Sequence, residues 1–138
     1  MKLLNALVFL VAFLSINASE LSSLNWINSY ETGVDSSKTG GQPIFIYFSG
    51  QCAVCGKLER EALSSPMIVE RLRDFICYQA TEGKDASLFI DFKVKAVPTI
   101  VMVRPEAGEP TKIVGFIEPR DLLRMMKKFK KIVIKNYY

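Results

Sequence analysis

The chain has 138 residues, 49% of them hydrophobic, with 18 Lys and Arg set against 14 Asp and Glu. That balance is too mild to point to a nucleic-acid partner. Histidine is absent, which removes the commonest general base and the commonest metal ligand, so any chemistry has to run through sulfur or carboxylates.

Lys2 is followed by an apolar run from Leu3 to Leu14 and then by Ile16-Asn17-Ala18, the layout of a signal peptide over residues 1–18. The run is short for a membrane helix, which needs roughly 20 apolar residues. A mature chain from Ser19 is therefore expected, exported to the periplasm of a bacterium or otherwise secreted. Residues 19–138 are enough for one domain. Lys127, Lys128, Lys130, Lys131 and Lys135 collect near the C-terminus, as a solvated helix face or as a contact for a membrane surface or acidic partner.

Leu24, Trp26, Ile27, Tyr30 and Val34 fall at mostly helical spacings, which predicts a short helix between Leu24 and Lys38. Thr39 to Pro43 breaks it. Ile44 to Phe48 then gives five β-favouring residues without polar alternation, a fully buried strand. Ser49-Gly50-Gln51 turns the chain, and Leu58, Ala62 and Leu63 recur on one side of a helix starting at or near Cys52. Ser65-Pro66 reads as an N-cap and first-turn proline for a helix through Met67, Ile68, Val69 and Leu72.

Phe75 to Tyr78 is expected as a strand, Asp85 as the cap of a helix carrying Leu88, Phe89 and Phe92, and Thr99 to Val103 as a second buried strand. Arg104 to Pro110 forms a turn to a hairpin partner over Lys112 to Phe116. Pro119 opens a last helix with Leu122, Leu123, Met126 and Phe129 inward, and Ile132 to Tyr138 forms a tail. Strands alternating with helices, then a hairpin, predict an α/β fold with a mixed sheet covered by helices on both faces. Trp26, Phe45, Tyr47, Phe48, Phe89 and Phe92 are read as core.

Of the three cysteines, Cys52 and Cys55 form a Cys-X-X-Cys that leaves a buried strand and enters a helix. At a helix N-terminus the unpaired backbone N–H groups and the positive end of the dipole stabilise a thiolate, the form that attacks disulfides. Cys52 is the expected nucleophile and Cys55, one turn on and more buried, the resolving thiol. Half a zinc site, a Cu(I) site shared with Met or Cys77, and a permanent structural disulfide are the competing readings. Cys77 lies in the apolar run Phe75 to Tyr78, where a buried thiol packs as a small hydrophobe or serves as a regulatory or intermolecular thiol.

From Gly41 to Lys128 the sequence resembles the thioredoxin superfamily. The resemblance rests on Ile44 to Phe48 leading to Cys52-Ala53-Val54-Cys55, on Ala96-Val97-Pro98-Thr99 entering a strand, and on Gly115-Phe116 before the last helix. Within the superfamily it is similar to exported thioredoxin-like proteins and to the C-terminal periplasmic domain of the thiol:disulfide interchange protein DsbD. The shared features there are the Trp26 to Pro43 lead-in, the proline-free dipeptide between the cysteines and Glu59 four residues after Cys55.

The resemblance implies a thioredoxin fold, a cis Val97-Pro98 bond facing the cysteine pair, and substrate docking along the backbone at Val97. The ordinary alternative is a trans proline opening a strand. Many thioredoxins carry a buried aspartate six residues before the first cysteine, where this chain has Ile46. Glu59, one turn beyond Cys55 on the same helix face, is then the candidate to exchange a proton with Cys55, the alternative being a plain exposed glutamate.

Strong oxidants of the family place a histidine between the cysteines. Ala53-Val54 offers no side-chain donor, which favours a reducing or isomerising role. The partners implied are protein disulfides and an upstream thiol donor such as a membrane thiol relay, with no cofactor and no resident metal. A redox-quiet binding or chaperone module using the Val97-Pro98 groove, or a Cu(I) carrier, is the alternative function.

Overall fold

The computed structural model describes residues 26–135, with side chains described as far as residue 131. The expected signal peptide over 1–18 and the Tyr137-Tyr138 end lie outside the described residues. Ile44, Phe45, Ile46, Tyr47 and Phe48 are so uniformly apolar that they can only sit between two covered faces. They form β2 (Ile44–Ser49), every residue of which is buried.

Around β2 lie β1 (Trp26–Ile27), β3 (Ile76–Thr81), β4 (Thr99–Val103) and β5 (Thr111–Val114) in the order β1-β3-β2-β4-β5. β2 runs parallel to β3 and antiparallel to β4, and β5 closes a hairpin on β4. The sheet is mixed, as expected.

Successive side chains of a strand point to opposite faces, and β2 divides accordingly. Phe45 and Tyr47 pack with Leu58, Ala62, Leu72, Leu122 and Met126. Those residues come from α2 (Ala53–Leu58), the π-helical turn Glu59–Leu63, α3 (Pro66–Leu72) and α5 (Pro119–Lys135). Ile44, Ile46 and Phe48 face the other layer, with Leu88 of α4 (Ala86–Asp91) and Tyr30 and Val34 of α1 (Tyr30–Gly40). Helices therefore cover both faces.

Several boundaries differ from the sequence reading. Trp26 and Ile27 are not helical. They pair in parallel with Cys77 and Tyr78 of β3, and the helix begins only at Tyr30, capped by the Ser29 hydroxyl accepting from the Thr32 N–H. A β-branched and an aromatic residue beside an open sheet edge gain more from the ladder than from one more helical turn. β3 starts at Ile76 and runs on to Thr81, and β5 spans Thr111–Val114, leaving Phe116 beyond the strand. α5 continues to Lys135, so the expected tail from Ile132 begins inside a helix. Leu122, Met126 and Phe129 are buried on α5 as expected, whereas Leu123 is half-buried.

Pro66 opens α3, but Ser65 makes no side-chain cap. Asp85 also stands at a cap position, before α4, without capping it. Its buried carboxylate instead accepts hydrogen bonds from the Tyr78 hydroxyl and the Thr81 N–H at the end of β3. Burial, with Asp85 second, raises the Tyr78 hydroxyl's pKa, so it stays a donor. Asp85→Ala strands both donors and is expected to lower unfolding free energy by about 1–3 kcal/mol in urea titrations; no loss would show the pair to be idle.

Cys77 lies in the core, 3% exposed, its thiol directed at the carbonyl of Leu72, and burial pushes its pKa up from 9.0 to about 12. The folded state thus favours the protonated thiol. Its contribution to stability is complete below about pH 9 and is lost as pH rises toward about 12. Urea midpoints at pH 7 and pH 10.5 are expected to fall less for Cys77→Ala than for the wild type. An equal fall would mean that this thiol does not couple to folding.

Candidate functional site

β2 delivers the chain to the end of the sheet's central strand at Ser49, and Gly50 lets it pass close to the β4 side. A Cβ at Gly50 would stand 3.1 Å from the Val97 Cγ2. Cys52 then adopts an extended backbone, φ −139° and ψ 149°, and becomes the N-cap of α2. Its sulfur takes the place a serine or aspartate oxygen usually fills, accepting the Cys55 N–H at 3.0 Å. The two sulfurs form a disulfide, with Cα atoms 5.1 Å apart. Cys55 is 1% exposed, while Cys52 is only half-buried. Cys52 is thus the outer and Cys55 the inner residue of the pair.

The Val97-Pro98 bond is cis. Cys52 Sγ lies 3.8 Å from the Val97 carbonyl oxygen, so the loop before β4 faces the pair. Two hydrogen bonds hold this loop: Thr99 Oγ1 donates to the Ala96 carbonyl at 2.7 Å, and the Gly115 N–H donates to the Pro98 carbonyl at 2.8 Å. Gly115 has a φ of +85°, a left-handed conformation that glycine adopts without strain, which accounts for a glycine here. Beside it, the Lys57 ammonium of α2 stands 4.1 Å from the centre of the Phe116 ring. Val54, 45% exposed, adds an apolar shoulder to the rim.

Ile46, at the position of the thioredoxin aspartate, is fully buried in the layer under α1 and α4. The polar group that reaches α2 from β2 is its neighbour. Tyr47, 1% exposed, donates its hydroxyl to Glu59 Oε1 at 2.9 Å and comes within 3.5 Å of the Cys55 carbonyl. Burial first, and the Glu59 carboxylate second, push the Tyr47 pKa far above its ordinary range, so the hydroxyl is a permanent donor. Tyr47 was legible in sequence only as core. The signal available was the hydroxyl itself, since a buried tyrosine usually needs a polar partner.

Glu59 is exposed and borders two clefts. One, of about 240 Å³, is also lined by Trp26, Tyr47, Leu63 and Ser64. The other, of about 480 Å³, runs past Gly50 and Gln51 to Val97. Cys77 points elsewhere, to the connection between α3 and β3. Among the described residues no three His, Cys, Asp or Glu side chains are grouped to hold a metal. On α5, Lys130 pairs with Asp74 at 3.0 Å, while Lys127, Lys128 and Lys131 are exposed.

Comparison with known proteins agrees with this geometry. The thioredoxin-like family profile matches residues 25–105. A thioredoxin-related protein DsbJ of Chlamydia pneumoniae is 24% identical over 133 residues, covering 84% of this chain but only 38% of that protein's length. A thioredoxin from Thermus thermophilus superposes with a TM-score of 0.65 at 20% identity, over 78% of this chain and 87% of its own. The oxidised DsbD C-terminal domain of Neisseria meningitidis gives 0.62 at 14% identity, over 72% and 90%. These solved structures speak for the fold. With its paired Cys52 and Cys55 at a helix start, the chain has the framework of a thiol-disulfide oxidoreductase and belongs to the thioredoxin-like family.

Proposed function

We propose that the chain is an exported thiol-disulfide oxidoreductase that reduces or isomerises disulfides of other proteins. The observation that carries the reading is the setting of Cys52: a half-buried sulfur at the start of α2, bonded to a buried Cys55 and 3.8 Å from the Val97 carbonyl beside cis-Pro98. In the reduced protein a Cys52 thiolate would be met by the Cys55 backbone N–H, which already points to that sulfur and lowers its charge cost.

The thiolate attacks one sulfur of a substrate disulfide, forming a mixed disulfide and releasing the other sulfur as a thiolate. Cys55 then loses its proton to Glu59, attacks Cys52 Sγ and expels the second substrate sulfur. Two electrons pass from the pair to the substrate, and the pair ends as the disulfide. An upstream thiol donor, such as a membrane thiol relay, reduces it again. Val97, with Pro98 fixing the loop, offers backbone groups to an extended substrate segment next to the sulfur under attack.

The reducing direction is supported by Ala53 and Val54, which bring no side-chain donor to the Cys52 sulfur. Without such a donor the reduced form gains less, and the pair is a weaker oxidant.

Blocking resolution tests the activity. Cys55→Ser is expected to accumulate disulfide-linked partner proteins on Cys52 that thiol reductant releases, while Cys52→Ser accumulates none. An empty trap under native redox conditions would instead favour a binding module that uses the same groove without exchange. Export is supported by Lys2 and the apolar run Leu3 to Leu14. N-terminal analysis of the protein made in its host is expected to find a mature chain 19–138 beginning at Ser19; a chain that stays inside the cell with Lys2 attached would overturn this half of the proposal.

A further inference from the structure

The proton of the resolving step has a structural requirement that Cys55 and Glu59 alone do not meet. Glu59 is exposed, and a free glutamate side chain on a helix surface samples many rotamers, most of them aimed at solvent. A carboxylate that must serve the residue one turn earlier needs something to hold it back over that turn. Among the described residues one hydrogen bond to the Glu59 carboxylate is made, and it comes from Tyr47.

We infer that Tyr47 is a positioning residue: its hydroxyl, reaching from β2 across to α2, fixes the Glu59 carboxylate over Cys55 and thereby sets the rate of the resolving step. The inference rests on the proposed exchange activity and on Glu59 as the proton acceptor.

Three observations carry it. Tyr47 is buried, 1% exposed, with its ring packed against Trp26 and the core under α2. The hydroxyl donates to Oε1 and so leaves Oε2 free to take a proton. The same hydroxyl stands 3.5 Å from the Cys55 carbonyl, so it registers the carboxylate against the turn that carries the resolving sulfur. The helix also widens into its π turn at Glu59, whose carbonyl is held by the Ser64 hydroxyl at 2.7 Å. Such turns often occur at functional sites.

The cleft lined by Trp26, Leu63 and Ser64 gives Glu59 a route to water that does not pass Val97. A substrate docked at Val97 would leave that route open. The titratable groups lining the two clefts are Tyr47 from β2, Glu59 itself and Glu82 beyond β3.

Reduced protein mixed with a slight excess of 5,5′-dithiobis(2-nitrobenzoate) separates the steps. The first thionitrobenzoate released reports attack by Cys52, and the second reports attack by Cys55 on the mixed disulfide. Tyr47→Phe keeps the ring and removes the hydroxyl. It is expected to slow the second phase relative to the first by about 3- to 10-fold, the worth of one hydrogen bond. Glu59→Gln is expected to slow the second phase at least as much. Adding Tyr47→Phe to Glu59→Gln should then change nothing more, because the hydroxyl acts only through the carboxylate.

Equal slowing of both phases by Tyr47→Phe, or a full additional loss in the double variant, would overturn the inference in favour of a general structural role. An unaffected second phase in Tyr47→Phe, with Glu59→Gln slow, would overturn it too while leaving Glu59 in place. If Glu59→Gln itself is as fast as wild type, the proton-acceptor reading falls and takes the Tyr47 role with it. Absence of the first phase removes the exchange activity altogether.

Discussion

The structure depends on a sulfur serving as a helix cap. A chain leaving the centre of a sheet must turn before it can coil, and the residue at that turn has to offer an acceptor to the first free N–H groups. Here the acceptor is Cys52 Sγ, held on the Cys55 N–H at 3.0 Å. The donor is in place while the sulfur is neutral in the disulfide. On reduction, charge would arrive where a donor already points, so little reorganisation is needed. The close pass of Gly50 beside Val97 and the tie from Gly115 to Pro98 keep the neighbouring loop near that sulfur.

β2 makes this possible through a division of labour between its faces. Ile44, Ile46 and Phe48 fill one apolar layer, and Phe45 and Tyr47 the other. A strand buried on both sides has little tolerance for polar groups, since each must find a partner. This chain has an isoleucine where thioredoxins often carry an aspartate. Its polar group is instead the Tyr47 hydroxyl, one residue along and on the opposite face, against the helix that bears the cysteines. A hydroxyl costs less to bury than a carboxylate. The charge it addresses, Glu59, stays at the surface, where water shares the cost of solvation.

How much of this could be read beforehand follows from which interactions are local. The uniform apolar runs of β2 and β4 and the 3.6-residue spacing of Leu122, Met126 and Phe129 are local signals, and the elements appear where those signals lie. The strand-turn-helix around Cys52 is local as well. Trp26 and Ile27 could not be placed this way, because their strand exists only through pairing with Cys77 and Tyr78, more than a third of the chain away. Asp85 shows a related limit. Its position before α4 was legible, yet its carboxylate is spent on Tyr78 and Thr81 rather than on the helix. The π turn at Glu59 has no spacing signature, and Tyr47 looked like one more core aromatic because its partner lies on another element.

The two cysteines of one helical turn differ in solvent exposure, and the proposed exchange gives them different tasks accordingly. Cys52 faces the groove at Val97, while Cys55 is 1% exposed against the core. Desolvation disfavours a charged sulfur, so an inner thiol gives up its proton less readily than an outer one unless a base is supplied. In the proposed cycle, attack on a substrate depends on the backbone donor at the helix start, and release of the substrate on a carboxylate one turn further along. A mixed disulfide formed in that cycle would sit between these two controls, and its lifetime would answer to the second.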